Sequence, residues 1–459
     1  MEASVKKPNF LMRGLESRLT ISQFTAKQIL ALYLPMLLDQ FSVYGMSLLS
    51  SSMVSASSQE AISAMSLVSA LSYLLVSMFA ALSTGGTVLV AQAKGRGDEL
   101  GLRRACGQTI LLTCLMGLVI TGVLYFGAGF LVETFYGGAA PLIVEYGIIY
   151  LKLYGLSLFP LAIFNSISCC FAGMGKSKHC LVLSVIINVV HLIMSFIFIN
   201  MMKMGISGIG YAYIVARLVG GLVAIVMIFL VRNADLRFKD LWYLSWDFVK
   251  KILRLAIPVI VGAIMSNGGS ILANSYIAPL EVNAVAAHSI AGSIFGMFML
   301  TTYGLMTLTT TVCGQCIGAK NYDLAKHYVK QFSRLGRWLM IANTAVIVPL
   351  LPLMMVMYQP SAEAKPIIYQ LLIIGCLSAI ALYCDELLLS TCLSAAGDAT
   401  FTTATSLSVM WVCSVGLGYF LTVICKFGIY GAWIPNIVCY TCNTIIYSRR
   451  LKGEKWKKM

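Results

Sequence analysis

Apolar stretches of twenty residues or more, separated by short polar or turn-forming breaks, recur from residue 28 to residue 448. A helix rises about 1.5 Å per residue, so roughly 20 residues cross the ~30 Å hydrocarbon layer of a bilayer. Twelve stretches have that length, at 28–56, 61–92, 105–132, 142–171, 178–201, 206–232, 251–278, 284–316, 333–357, 366–394, 400–424 and 428–448. None shows the alternation over about ten residues that marks the strands of a closed barrel, and in lipid each segment must satisfy its own backbone groups. All twelve are therefore predicted to be helices, and the expected fold class is all-α integral membrane.

Composition sharpens this reading. Of 459 residues, 59% are hydrophobic and only 11% charged, with mean hydropathy +0.85. A soluble domain carries about 25% charged residues, so a soluble enzyme, a disordered chain and a disulfide scaffold are all excluded. A net charge of +15 would suit nucleic acid only if the basic residues gathered on one folded face. They sit instead in the breaks between apolar runs, and no nucleic-acid partner is expected. With twelve spans, 28 of the 33 Lys and Arg residues fall on one side and three, Lys203, Lys365 and Lys426, on the other, while Lys152 and Arg217 lie inside spans. By the positive-inside rule both termini face the cytoplasm of the cell membrane. Most of the fourteen cysteines lie in or beside apolar runs, where they act as small hydrophobes. Free thiols are expected, with no disulfide and no zinc. Four histidines without paired spacing offer no metal centre.

The chain also matches itself. Pro35 corresponds to Pro258, Ala61, Ala64 and Ser66 to Ala284, Ala287 and Ser289, Gln92 to Gln315, and Gly205 and Gly208 to Gly428 and Gly431, all at an offset of 223 residues. One register held over about 175 residues is an internal duplication, and an even six spans per half makes the halves parallel repeats. The expected organisation is a cytoplasmic segment 1–27, which the length of the first apolar run argues is retained, an N-lobe 28–232, a polar linker 233–250, a C-lobe 251–448 and a basic tail 449–459. Phe238, Trp242 and Trp246 give the linker the look of an interfacial helix. Two six-helix lobes around a central cleft are what alternating access requires.

These features together resemble the multidrug and toxic compound extrusion (MATE) family. The residues that carry the resemblance are Pro35 and Pro258 in the opening span of each half, Gln92-Ala-Lys-Gly95 and Gln315-Cys-Ile-Gly318 closing spans two and eight, Ala-Ala-His288 opening span eight, and the turns at Gly175 and Gly397-Asp398. The resemblance implies a V-shaped exporter that exchanges organic cations or other amphipathic compounds for inward H⁺ or Na⁺, without a cofactor and as a monomer. The sequence departs from the family where coupling usually resides. The family's carboxylate late in span one falls on Ser50, its Asn-x-x-x-Asp in span five reads Asn188 to Leu192, and a Thr early in span six is Tyr213. Its span-seven Glu falls near Ser266 or Asn267, and its span-ten Asp on Tyr383, two residues from Asp385.

An ionisable side chain at bilayer depth costs about 2.5–3.5 kcal/mol even on the lenient insertion scale, so each one needs a reason. Asp39 in span one and the adjacent Asp385 and Glu386 in span ten are expected near the midplane, one acidic position per lobe. The adjacent pair is about 100° apart on a helix, so one of the two is expected to face the lobe interior. With Asn188 and His191 these acids are the coupling-ion candidates; the bland alternative is a neutral acid bonded to a neighbouring helix. Phe41, Tyr44, Met265, Asn267, Phe295, Met299 and Tyr303 are candidates for the substrate cleft, because aromatic faces attract cations and Met repacks around different shapes. Lys152 and Arg217 are expected to pair with acids or to snorkel.

A flippase for lipid-linked saccharides is the nearest rival and would need a strongly cationic cavity. An integral-membrane enzyme would need convergent His, Asp or Ser motifs that the chain lacks, and a channel has less use for a two-lobed duplication. The charge count predicts that a reporter fused to the C-terminus behaves as cytoplasmic; activity of a periplasmic reporter there would overturn the twelve-span topology.

Overall fold

The computed structural model describes residues 24–55, 59–136, 140–230 and 245–458, and, apart from Ala26, 47–75, 135–136 and 458, their side chains. Twelve long helices account for nearly all of it: α1 (Ala26–Ser55), α2 (Gln59–Arg96), α3 (Glu99–Tyr136), α4 (Pro141–Gly173), α5 (Ser177–Met201), α6 (Gly205–Leu230), α7 (Trp246–Ile277), α8 (Val282–Gly318), α9 (Tyr322–Tyr358), α10 (Ala364–Ala395), α11 (Ala399–Ile424) and α12 (Tyr430–Lys452). Wider π-type turns interrupt α5 from Phe196, α10 over Ala379–Tyr383, and α11 from Met410. The expected segment 1–27 lies mostly, and the linker 233–250 largely, outside the described residues; the last residues of the linker open α7.

Ten of the helices are long and apolar enough to cross a membrane. The other two, α7 and α12, carry Ser266, Asn267, Ser270 and Asn274, and Asn436 and Asn443, within their spans. Several of these polar groups face a cavity inside the C-lobe, which is why the two helices read as less apolar. Helix α9 starts eleven residues before its expected span. Its first turns bury Leu324, Ala325, Tyr328, Val329 and Phe332 on one face and expose Asp323 and Lys330 on the other, an amphipathic extension beyond the hydrocarbon.

The duplication is visible in the backbone. Gln59 and Val282 open α2 and α8 at the 223-residue offset, and Glu99 and Tyr322, and Pro141 and Ala364, open the next two pairs. Left-handed residues recur in register as well, at Gly97 and Lys320, Lys203 and Lys426, and Gly205 and Gly428. Helices α1–α6 pack as one lobe, with α4 against α2, α3 and α6, and α7–α12 as the other. The lobes meet along α2 against α7 and α8, and along α1 against α8.

At their C-terminal ends α2 and α8 come into backbone contact. A Cβ on Gly95 would collide with the carbonyl of Gln315, and one on Gly318 with the carbonyl of Gln92. The two glutamines then reach across: Gln92 Nε2 donates to the Ala395 carbonyl at 2.7 Å and Gln315 Nε2 to the Gly173 carbonyl at 3.1 Å. These are equivalent bonds, each from one lobe to the last turn of a helix in the other. Thr311 adds a third, its hydroxyl donating to the Ala172 carbonyl at 3.0 Å.

At the opposite extreme, an added Cβ at Gly122 in α3 meets nothing within 4 Å. Gly95→Ala is therefore expected to destabilise the protein by about 1–3 kcal/mol, because backbone cannot yield as a side chain does, whereas Gly122→Ala should be neutral or stabilising by up to about 1 kcal/mol. Thermal unfolding of both variants in one detergent checks the contrast.

Candidate functional site

Helices α7, α8, α10, α11 and α12 enclose two adjoining cavities of about 500 and 660 Å³ that share Ser266, Glu386, Leu387, Ser406 and Met410. Many of the residues lining the first are serines and threonines, among them Thr310, Ser390, Thr391 and Ser394, and Thr84 and Thr87 of α2 line it from the other lobe. The second is lined by Phe295, Tyr383, Trp433, Asn436 and Tyr440. Glu386 stands where they join. It is 8% exposed, and its Oε1 accepts from Nδ2 of Asn443 on α12 at 2.7 Å. Its Oε2 is buried with no hydrogen-bond partner among the described residues. A buried carboxylate oxygen left unpartnered is costly, and a proton, a metal cation or an organic cation would satisfy it.

Tyr383, Tyr440 and Tyr447 neighbour this acid, and further aromatic rings line the second cavity. Tyr383 and Tyr440 meet edge to face at 5.0 Å, and Tyr303 lies beside Tyr383. Trp433 meets Phe295 at 5.8 Å and donates from Nε1 to Nδ1 of His288 at 3.0 Å. His288 is thereby committed to a structural bond. Asp385, one residue along the helix, points away from the cavity toward α9, where its Oδ1 lies 3.9 Å from Nε of Arg337. The backbone thus sends the two adjacent acids to different sides of α10, about 100° apart, only Glu386 facing the cavities.

The N-lobe candidates form two separate groups. Between α1 and α5, Asn188 Nδ2 donates to Ser42 Oγ at 3.1 Å and to Ser184 Oγ at 3.5 Å. Asp39 lies beside Ser184 on the same face, and its Oδ1 is buried without a partner among the described residues. His191 faces α6 instead: its ring stacks on Tyr213 at 4.3 Å and its Nε2 lies 3.4 Å from Ser195 Oγ. Arg217 neither pairs with an acid among the described residues nor snorkels. Its guanidinium lies 4.7 Å from the ring centre of Tyr154 and 4.6 Å from that of Tyr213, and it donates to Ser157 Oγ. The side chain of Ser50 lies outside the described residues. Lys152 is exposed.

The seven cleft candidates are scattered. Phe295 lines the second cavity, and Tyr303 lies beside Tyr383, which lines it too. Tyr44 bridges the lobes, its hydroxyl donating to the Ser293 carbonyl at 2.9 Å. Phe41 and Met265 are exposed. The Asn267 amide donates to the Ala263 carbonyl of its own helix at 2.7 Å, and Ser266 next to it lines both cavities. Met299 is 3% exposed in the packed core of the C-lobe. Sequence reasoning missed Asn443, Asn436, Tyr440 and Trp433, all on α12. The available signal was two asparagines inside an apolar run, which in lipid need a reason as much as an acid does.

Replacing Asn443 by Leu removes the donor from a buried carboxylate and is expected to cost about 1–3 kcal/mol. In a Glu386→Leu background the same replacement should cost much less, because no oxygen is left unsatisfied. A double-mutant cycle on thermal unfolding measures the difference.

Comparison with known proteins agrees with this architecture. The MatE family profile matches residues 35–197 and again 258–420, the two matches standing at the 223-residue offset of the repeat. The probable multidrug resistance protein YoeA of Bacillus subtilis (strain 168) is 24% identical over 401 residues, covering 84% of each chain. Among solved structures, an outward-facing multidrug resistance MATE family transporter superposes with a TM-score of 0.87 at 21% identity, covering 94% of this chain and 97% of the other. A transporter of the same superfamily from Pyrococcus furiosus superposes at 0.84 with 20% identity, covering 93% and 96%. Matched over most of its length and once in each half, the chain belongs to the MatE family of multidrug efflux transporters and is a multi-pass membrane transporter, not an enzyme.

Proposed function

We propose that this chain is an antiporter that exports amphipathic or cationic small molecules in exchange for inward H⁺ or Na⁺, with both termini on the cytoplasmic side of the cell membrane. The observation that carries the reading is Glu386, an acid with one unpartnered oxygen at the junction of two aromatic- and hydroxyl-lined cavities. Exchange requires that substrate and coupling ion compete for one site or favour opposite conformations, since a ligand shifts a conformational equilibrium only by its differential affinity. A single buried carboxylate flanked by π faces can hold either a small cation or an organic one, and not both.

The α2–α8 crossing supplies the second requirement. It closes the end of the molecule where the basic loops lie, the end the positive-inside rule assigns to the cytoplasm. Hydrogen bonds, close glycine contacts and apolar packing join the lobes there, and rocking one lobe on the other would open it. The repeat supplies both halves of the machine within one chain, which supports a monomer as the working unit.

Neither C-lobe cavity has a Lys or Arg among its lining residues, and Arg217 is enclosed by tyrosines in the other lobe. This favours a cationic substrate over the anionic lipid-linked saccharide of a flippase. We assign coupling to Glu386 first and Asp39 second. Asp385, turned toward Arg337, is assigned a structural role.

Vesicle efflux of a fluorescent organic cation under an imposed pH or Na⁺ gradient tests the assignment. Glu386→Gln keeps the shape without the charge and should lower gradient-driven export at least about tenfold, a loss of roughly 1.4 kcal/mol of coupling, while Asp385→Asn exports near the parental rate. If Glu386→Gln exports normally and Asp39→Asn does not, coupling sits in the N-lobe; if both variants export normally, the antiport reading of these acids fails.

A further inference from the structure

On the outer side of the C-lobe, α9 and α12 flank α10 around a groove of about 420 Å³ into which Lys326, Lys330, Arg334, Arg337 and Lys452 converge, with Asp385 the one acid among them. Five cations against one carboxylate is a strong local imbalance. Asp385 lies 3.9 Å from Arg337, and Lys326 lies 5.7 Å from the ring centre of Trp456. Arg337 is still 44% exposed, and Lys330 and Arg334 are exposed.

The duplication provides an internal control. At the offset of 223, Lys330, Arg334, Arg337 and Lys452 correspond to Gly107, Leu111, Cys114 and Phe229, and Asp385 corresponds to Ala162; only Lys326 has a basic counterpart, Arg103. The N-lobe builds the same helices without these charges, so the fold does not require them.

Depth and surroundings identify the occupant. From Arg337 to Tyr358 helix α9 rises about 32 Å, close to the thickness of a bilayer's hydrocarbon layer, which puts Arg337 at the hydrocarbon boundary on the basic side. Trp338, next in sequence, is 67% exposed, as expected of an aromatic residue at the membrane interface. Beyond the groove Ile341 on α9 and Ile445 on α12 are exposed, one turn further into the apolar zone. A ligand seated here would offer negative charge to the guanidinium forks and ammonium groups and hydrocarbon to the isoleucines. Arginine forks pair well with phosphate oxygens, and basic pockets between helices at the cytoplasmic face are suited to anionic lipid headgroups.

We propose that the groove between α9 and α12 binds the phosphodiester headgroup of an anionic phospholipid, phosphatidylglycerol serving as the probe. The site is separate from the cavities around Glu386 and does not depend on the transport reading.

Native mass spectrometry of the full chain, released from detergent with added phosphatidylglycerol or phosphatidylcholine and in the presence or absence of excess inorganic phosphate, tests the proposal. Phosphatidylglycerol should remain bound to the parental protein, phosphatidylcholine should not, and inorganic phosphate should fail to displace the lipid. Lys330→Gln/Arg334→Gln/Arg337→Gln should lose at least about tenfold in phosphatidylglycerol retention. Equal retention by parental and variant protein overturns the site. Equal retention of the two lipids overturns the charge argument, and displacement by inorganic phosphate makes the groove a free-anion site instead. Should the triple variant fail to fold, Lys330→Gln alone, at an exposed side chain, should lose about fivefold, and no loss there counts against the proposal equally.

Discussion

The structure depends on the place where α2 and α8 touch backbone to backbone. Lipid gives helices no hydrophobic reason to associate, so close packing of small residues and interhelical hydrogen bonds must supply the attraction. Gly95 and Gly318 allow the approach, Gln92 and Gln315 convert it into paired hydrogen bonds, and Gly314 packs on Ala91 beside them. Because each glycine seats on the carbonyl of the other lobe's glutamine, the contact is self-complementary, as a two-fold related pair must be. The separation of the lobes follows from this crossing, and so does the closure of the basic end.

Polar residues inside a bilayer must face something other than lipid, and the two lobes meet that constraint differently. The C-lobe opens cavities and lines them with the serines, threonines and asparagines of α7, α11 and α12, leaving an oxygen of Glu386 without a partner. The N-lobe leaves an oxygen of Asp39 without a partner among the described residues and encloses its cation. Tyr154 and Tyr213 flank the guanidinium of Arg217, Ser157 accepts from it, and His191 stacks on Tyr213. A guanidinium tolerates this because it is weakly hydrated and stacks well on aromatic faces. Tyr213, where the resemblance leads one to expect Thr, has a structural role here: its ring contacts both His191 and Arg217.

Asymmetry between two copies of one fold is informative, because the fold explains what they share and cannot explain what they do not. The shared parts are the helix starts, the left-handed linkers and the glutamine bridges. The unshared parts are Glu386 with Asn443, Arg217 with its tyrosines, and the basic groove of α9 and α12. At the offset of 223 Glu386 and Asn443 fall on Ile163 and Gly220, whereas Arg217 and Tyr213 fall on Tyr440 and Asn436 of the C-lobe cavity; each unshared part has a charge whose presence at that depth calls for a partner or a ligand.

The sequence by itself determined the helical class, the number of helices, their approximate limits and the repeat, because hydrocarbon thickness fixes span length and a duplication preserves register. It also marked Glu386 and Asp39 as chemically costly, since expense in lipid depends on residue type alone. Only the tertiary structure decided where those groups point. Adjacent residues on a helix differ by about 100°, so the neighbouring acids of α10 could not be told apart until helix packing turned Glu386 to Asn443 and Asp385 to Arg337. The same holds for Met299, which packing buried, and for Asn267, whose amide bonds its own helix. Membrane helices have little amphipathic contrast to reveal their facing, because lipid and protein core are both apolar. Which face meets a cavity is therefore settled only when neighbouring helices close around it.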